Sequence, residues 1–222
     1  DAAGDAIHKI HLRKSSRHDA WAGLVADLAV EDQSDTQAVA PRPPTEAPKS
    51  RLDKRDILRD EWARLTDTHQ FLRLCSKLKM NRLGAYRIAG APFVRRLDPK
   101  AVDDMLHAVR DTGIEIMLFV GNRGCIQIHS GQIHRVVEMG PWLNVLDPGF
   151  NLHLRADQIA AAYAVWKPQT DSAVHSIELF DDTGELICQF FGERKPGKPE
   201  LESWKALVAA IPAQISAQIP SL

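Results

Sequence analysis

The sequence has little of what places a protein in a membrane or draws it to nucleic acid. None of its apolar runs approaches the roughly 20 residues that span a bilayer, so no membrane insertion is expected. Lysine and arginine number 28 and aspartate and glutamate 29, which gives a formal net charge of −1. That balance gives no global attraction to nucleic acid or to an anionic lipid surface. No basic and then apolar leader is visible, which predicts no export signal.

Cysteine is scarce as well. The chain has three cysteines, Cys75, Cys125 and Cys188, far apart and without CxxC spacing. An odd, dispersed set argues against a disulfide framework and against a zinc site, and it favours a reducing compartment. The motifs HExxH and GxSxG, the Walker loop and the dinucleotide fingerprint are also missing, which removes the commonest enzyme signatures.

What the chain does have is an apolar content of 44% over 222 residues, enough for one large or two small domains. Residues 31–50 contain four prolines and almost no large apolar side chain. Such a segment buries too little surface to offset its chain entropy, so we predict a flexible linker. It separates a short piece, 1–30, from a long one, 51–222.

The short piece resembles the end of the long one. Residues 1–14 match 181–195 in order with one insertion, and "AWAGLVADL" at 20–28 matches "SWKALVAAI" at 203–211. Each copy is predicted to form a turn, a strand and an amphipathic helix. The prediction is therefore half of an internally duplicated architecture, in which 1–30 is the tail of a first repeat. A strand at 5–13 would be an exposed edge through which the chain could dimerise.

The long piece has predicted helices before and after a run of predicted strands, which indicates an α+β fold. Helices are predicted at 53–65, 67–79, 99–112 and about 199–211. Strands are predicted at 115–121, 125–131 and 132–139, and in "FNLHLR", "AAYAVWKP", "VHSIELFD" and "LICQFFGER". Because the turns between strands are tight, we expect an antiparallel β-sheet packed against helices.

Some residues suggest chemistry. His69 lies near the start of a predicted helix beside its apolar stripe, where an imidazole serves as a metal ligand or as a hydrogen-bonded structural group. Gln189 and Phe191 share one face of the last strand, with Lys167 and Arg194 near strand ends. An aromatic floor edged by cations suits a flat apolar ligand with carboxylates. The alternative is ordinary core aromatics with surface cations.

Three stretches carry a resemblance to a known family: "GNRGCIQIHSG", "MGPWLNVLDPGFNLHLR" and "ELFDDTGELICQFFGERKPGKPE". They resemble the C-terminal half of the HemS/HmuS-type hemin-transport and hemin-degrading proteins, which are cytoplasmic, duplicated proteins of bacterial haem uptake. "DTHQF" resembles the segment that holds their axial haem ligand. The resemblance covers nearly all of 51–222 and implies haem b as cargo or substrate, with His69 as the iron ligand.

The resemblance also implies a haem-binding set. Besides His69, its members are Arg82, Phe119, Lys167, Gln189, Phe191 and Arg194. Lys167 and Arg194 would pair with propionates or cover the distal face. Gln189 would add a polar contact, and Phe119 and Phe191 would form apolar wall.

Two departures from the family pattern stand out. Some relatives have tyrosine where this chain has Phe191, which keeps the ring and removes a hydroxyl. A distal arginine of some relatives comes from the first half, so a pocket built from this chain alone is expected to be open on one side.

Three functions follow as expectations. The favoured one is a haem carrier that receives haem from an inner-membrane transporter and passes it to a cytoplasmic oxygenase or another haem protein. The second is an enzyme that opens the porphyrin and releases iron. The third is an interaction module with residual haem affinity.

Overall fold

The computed structural model describes residues 1–34, 38–170, 172–194 and 197–213. The chain divides into two compact units. The first consists of Asp1–Pro44 with the loop Asn122–Cys125, and the second consists of the described residues from Thr45 onward without that loop. Within the described residues, no helix is long and apolar enough to cross a bilayer.

The described part of the first unit contains one helix, α1, at His18–Leu28, and none of the residues of α1 is buried. The predicted helix at 20–28 is thus confirmed, but the strand predicted at 5–13 is wrong, because these residues form no ladder. A strand requires a partner for its backbone N–H and C=O groups, and similarity to 181–195 does not supply one. Dimerisation through residues 5–13 stays a prediction without a strand to carry it.

The last residues of the predicted linker form hydrogen bonds at the start of the second unit's helix Arg82–Ala89. Residues 35–37 lie outside the described residues, and the rest of 31–50 forms neither helix nor strand. Lys49 nevertheless donates its backbone N–H to Asn81 Oδ1 at 2.9 Å, and Ser50 Oγ donates to the Gly84 carbonyl at 2.8 Å. A Cβ on Gly84 would lie 2.0 Å from the Lys49 carbonyl oxygen, so this contact requires glycine. The end of the predicted linker therefore contacts the start of a helix through its backbone, and its flexibility stays a prediction.

Five helices lie in the described part of the second unit. They are α2 Arg55–Ala63, α3 Gln70–Lys77, α4 Arg82–Ala89, α5 Ala101–Thr112 and α6 Glu202–Ala210, with short 3-10 turns at Leu52–Lys54 and Ala156–Gln158. The four predicted helices are all present. Helix α4 was not predicted, because it is short and interrupted by Gly84; its start is marked by Asn81, whose Oδ1 accepts the Gly84 N–H at 2.9 Å.

Nine strands in the described residues form two sheets. They are β1 Val94–Leu97, β2 Ile116–Gly121, β3 Ile126–Gly131, β4 Val136–Met139, β5 Trp142–Asp147, β6 Phe150–Arg155, β7 Ala161–Pro168, β8 Ala173–Phe180 and β9 Leu186–Gly192. The larger sheet has the order β1-β7-β8-β9-β2-β3 and the smaller β4-β5-β6. Every pairing is antiparallel, which confirms the mixed helix and antiparallel sheet prediction.

The larger sheet separates two apolar cores. On one face, α5, α6 and the smaller sheet pack around side chains such as Leu118, Phe190 and Trp204. On the other, α2, α3 and α4 pack against β1, β7 and β8 around Trp62 and Tyr86. This second core also includes Leu186 at the start of β9. Farther along the same face, Phe119, Gln189 and Phe191 are only partly buried and Ile128 is exposed.

Candidate functional site

A row of side chains crosses the second face of the larger sheet. Directly paired residues of antiparallel strands point to the same side, and the pairs here are Tyr163–Glu178, Glu178–Gln189, Gln189–Phe119 and Phe119–Ile128. Glu178 is fully buried beneath the helices, whereas Ile128 is 55% exposed. The row therefore runs from a helix-covered half of the face to an uncovered half.

We call the uncovered half the shelf, and define it as Met117, Phe119, Ile128, Gln189 and Phe191. The Phe119 and Phe191 rings meet edge to face, with centroids 5.2 Å apart and planes at 76°. Met117 pairs directly with Phe191 in the ladder. The predicted common face of Gln189 and Phe191 is thereby confirmed, and the shelf is mainly apolar with one amide.

A buried ionic cluster lies beside the shelf. Glu178 receives Lys167 Nζ at 2.7 Å, Arg82 Nη1 at 2.8 Å and Ser176 Oγ at 2.9 Å. Burial alone would raise the pKa of the Glu178 carboxyl, but the charges and hydrogen bonds of Lys167 and Arg82 outweigh it and lower this pKa to about 2. Two cations against one anion leave the cluster with a net positive charge.

Lys167, an expected propionate partner, is buried within this cluster. Its ammonium is enclosed by Glu178, the Tyr86 hydroxyl at 3.0 Å and the Phe71 ring at 5.1 Å. Burial lowers the pKa of the Lys167 amine, and the nearby Glu178 charge opposes that effect. An internal carboxylate thus holds the ammonium, and the expectation that Lys167 meets a ligand carboxylate or covers a distal face stays a prediction. Arg82, by contrast, keeps 22% of its side chain exposed.

His69 lies in the turn that immediately precedes α3. The predicted helix from 67 begins instead at Gln70. Asp67 Oδ1 accepts the backbone N–H of His69 at 2.8 Å and lies 2.6 Å from His69 Nδ1. The His69 side chain is 91% exposed, and among the residues that the structure describes Nε2 has no hydrogen-bond partner. One ring nitrogen is thus fixed and the other is available to a ligand.

The loop after β7 attaches the His69 turn to the sheet. Thr170 donates its backbone N–H to the Thr66 carbonyl at 3.2 Å, and Gln169 Nε2 donates to Thr68 Oγ1 at 3.4 Å. Arg194 Nη2 donates to Gln169 Oε1 at 2.6 Å. The structure therefore brings His69 and Arg194 to one place. The sequence did not reveal that Asp67 holds the His69 ring, although the Asp-x-His spacing was a signal for it. It also did not reveal that Gln169 links Thr68 to Arg194, because that link depends on tertiary contacts.

These residues fit a haem. A porphyrin requires an apolar surface, and the shelf offers one. Its carboxylates require cations, and Arg82 and Arg194 are at hand; the buried Arg194 Nε–H donates to no acceptor among the described residues. Its iron requires a nitrogen lone pair, and a histidine whose other nitrogen is held by a carboxylate is the usual arrangement of metal-ligating imidazoles.

A second group of ligand-type side chains lies elsewhere, on α5 and β4. The candidate ligand atoms of Asp103, His107 and Glu138 are within 4.8 Å of one another. Asp103 Oδ1 lies 3.1 Å from His107 Nδ1 at helical i,i+4 spacing, and the side chains are 37% and 30% exposed, as is common for neighbours on a helix surface. We do not include this group in the candidate site.

Comparisons with known proteins agree with this description. Residues 79–211 match the family described as the haemin-degrading HemS.ChuX domain. Hemin transport protein HmuS of Yersinia pestis is 34% identical over 211 residues, which are 95% of this chain and 61% of that protein.

Two solved structures are similar over most of the chain. Holo-PhuS, a heme-binding protein from Pseudomonas aeruginosa, gives a TM-score of 0.84 at 42% identity, over 91% of this chain and 59% of that one. ChuS, described as an E. coli heme oxygenase, gives a TM-score of 0.82 at 33% identity, over 95% of this chain and 62% of that one. The chain thus spans about three fifths of the length of these relatives.

Proposed function

Because this chain belongs to the HemS.ChuX haemin-degrading domain family, we propose that it binds one haem on the shelf, with His69 Nε2 as the axial ligand of the iron. The observation that carries the proposal is the state of the His69 ring. Its Nδ1 is held at 2.6 Å by Asp67 while the side chain remains 91% exposed. A surface histidine held in one orientation, with its second nitrogen unused, is suited to ligation.

The other site residues divide by chemistry. Phe119 and Phe191 supply the apolar wall, and Gln189 a polar contact within it. Arg82 and Arg194 pair with the propionates, because guanidinium donors match carboxylates. Lys167 contributes to the site through Glu178. Its ammonium donates to one oxygen of that carboxylate, and the other oxygen holds the Arg82 guanidinium near the shelf.

Transport is the activity that this geometry supports best. An open shelf and a single exposed histidine suit release, because one bond to the iron must break and nothing in the described part of the shelf covers the exit. The proposed carrier receives haem from an uptake transporter and hands it to an oxygenase or another haem protein in the cytoplasm. The half-of-a-duplication architecture belongs to the same proposal and is supported by the share of the relatives that the chain covers.

Degradation of haem is the second candidate, and the similarity to ChuS, named as a heme oxygenase, is the observation that favours it. In that case the protein holds the porphyrin and leaves one iron face open to dioxygen. The test is to supply the haem-loaded chain with a physiological electron donor in the presence of catalase. A defined linear tetrapyrrole favours the enzyme, and unchanged haem favours the carrier.

Haem binding itself is tested by titrating hemin into the wild-type chain, His69→Ala and His134→Ala, following the Soret band. His134 is an exposed histidine outside the candidate site and serves as the matched control. We expect a saturable one-to-one spectrum for the wild type and His134→Ala that is lost in His69→Ala. An unchanged His69→Ala spectrum would contradict the ligand assignment. No saturable spectrum from any of the three would contradict haem binding by this chain and favour an interaction module.

A further inference from the structure

Two hydrogen bonds from one carboxylate oxygen fix the His69 ring. Asp67 Oδ1 accepts the His69 backbone N–H at 2.8 Å and lies 2.6 Å from its Nδ1. The Asp67 carbonyl also accepts the Gln70 N–H at 3.1 Å, which closes the turn into α3. Because residue and ring are held by the same oxygen, the orientation of the imidazole is set before any ligand arrives.

The carboxylate behind the ring is ionised at neutral pH. An aspartate at its ordinary pKa of about 3.9 is ionised at this pH. An ionised acceptor at 2.6 Å places the imidazole proton on Nδ1 and the lone pair on Nε2. It also draws that proton toward itself, which gives the ring partial imidazolate character and makes Nε2 a stronger electron donor.

Resting on the haem binding proposed above, we propose that Asp67 is a positioning residue that makes His69 a strong axial donor and so biases bound haem toward the ferric state. A more basic nitrogen stabilises Fe(III) more than Fe(II), and hydrogen bonding to the axial ligand is one of the means by which a protein sets haem potential. For a carrier with an open shelf, the consequence is that haem in transit resists reduction and the dioxygen chemistry that follows it.

The test is Asp67→Asn, which keeps the size of the side chain and an oxygen that can accept the backbone N–H while removing the negative charge. Asp157→Asn is the matched control, since Asp157 is an exposed carboxylate that pairs with Arg155. We expect Asp67→Asn to bind ferric hemin about ten-fold more weakly or worse, as is usual for loss of an outer-shell carboxylate. We also expect its Fe(III)/Fe(II) midpoint potential to rise and the iron–histidine stretching band of the ferrous form to move to lower frequency.

These readouts separate this inference from the proposed function. If the wild type shows no spectrum that depends on His69, the proposed function fails. If the wild type ligates haem through His69 but Asp67→Asn leaves the potential and the iron–histidine band unchanged, the role of Asp67 alone is overturned. Asp67→Glu provides a second variant: partial recovery of the wild-type potential supports the charge as the cause, and an Asn-like potential contradicts it.

Discussion

Lys167 Nζ lies 2.7 Å from Glu178 Oε1 on the helix-covered half of the larger sheet, where both side chains are almost completely removed from solvent. The same carboxylate receives Arg82 Nη1 at 2.8 Å on its other oxygen. Both carboxylate oxygens of Glu178 therefore already accept hydrogen bonds from within the chain. Lys167 and Arg82 are thus held together by one shared carboxylate.

Replacement of Glu178 by glutamine should destabilise the fold. The change leaves Lys167 and Arg82 without their counter-charge, and the loss of one partner from a buried pair typically costs about 3–5 kcal/mol. Urea unfolding followed by circular dichroism measures the difference. Asp111→Asn is the control, because Asp111 pairs with Arg110 on an exposed surface, and its unfolding midpoint should not move. A Glu178→Gln midpoint equal to that of the control would contradict the structural role of the cluster.

Glu178 also predicts how stability changes with pH. Its pKa of about 2 in the fold lies below the ordinary 4.5, so the unfolded chain binds more protons between these values. The contribution of Glu178 to the free energy of unfolding should thus be fully present above about pH 5 and be lost as the pH falls toward 2. Unfolding curves of the wild type and Glu178→Gln should converge over this window. Parallel curves would show that another group dominates acid unfolding.

The sheet was predictable because its information is local. In β2 and β9, fully buried side chains alternate with partly buried ones. The common face of Gln189 and Phe191 could therefore be inferred from their spacing of two residues on a strand. The position of Lys167 could not. It depends on the register that places Lys167 of β7 and Glu178 of β8 under the same helices, and no local pattern encodes that register.

The other features that the sequence did not reveal also depend on tertiary contacts. Residues 5–13 resemble a stretch that forms β9 in the second unit, yet they form no strand, because similarity transfers propensity but not a hydrogen-bonding partner. Conversely, residues 45–50 have a linker-like composition but contact α4. Gly84 lets the Lys49 carbonyl approach the helix backbone, and the sequence alone does not show which segment will pack on a glycine. His69 was found by resemblance to a family, whereas the hold of Asp67 on its ring became visible only in the structure.

Thiol reactivity should distinguish the three cysteines. Burial raises the pKa of Cys75 and of Cys188 to about 12, so neither forms an appreciable thiolate at neutral pH. Cys125 is only partly buried. A colorimetric disulfide reagent at pH 7.5 should therefore modify one thiol rapidly in the native chain and three in denaturant. The fast-reacting thiol should be lost in Cys125→Ser and retained in Cys75→Ser. Rapid modification of two or more native thiols would contradict the burial of Cys75 and Cys188.

The shelf should be required for haem binding independently of His69. Ile128 is 55% exposed on the edge strand β3 and pairs directly with Phe119, so a porphyrin lying on the shelf would cover it. Ile128→Asp should lower hemin affinity by about ten-fold or more, because covering an isoleucine contributes roughly 1.5–3 kcal/mol and covering an unpaired carboxylate is unfavourable. Fluorescence quenching of the tryptophans by hemin gives the affinity.

The control for that measurement is Ile57→Asp, which introduces the same charge at a similarly exposed isoleucine on α2, outside the shelf. Neither variant removes a buried side chain, so both should unfold near the wild-type midpoint, and only Ile128→Asp should bind hemin weakly. Equal affinities for the wild type and both variants would mean that the porphyrin lies off the shelf even if His69 ligates its iron. Equal losses in both variants would mean that added negative charge, rather than the apolar surface, accounts for the weaker binding.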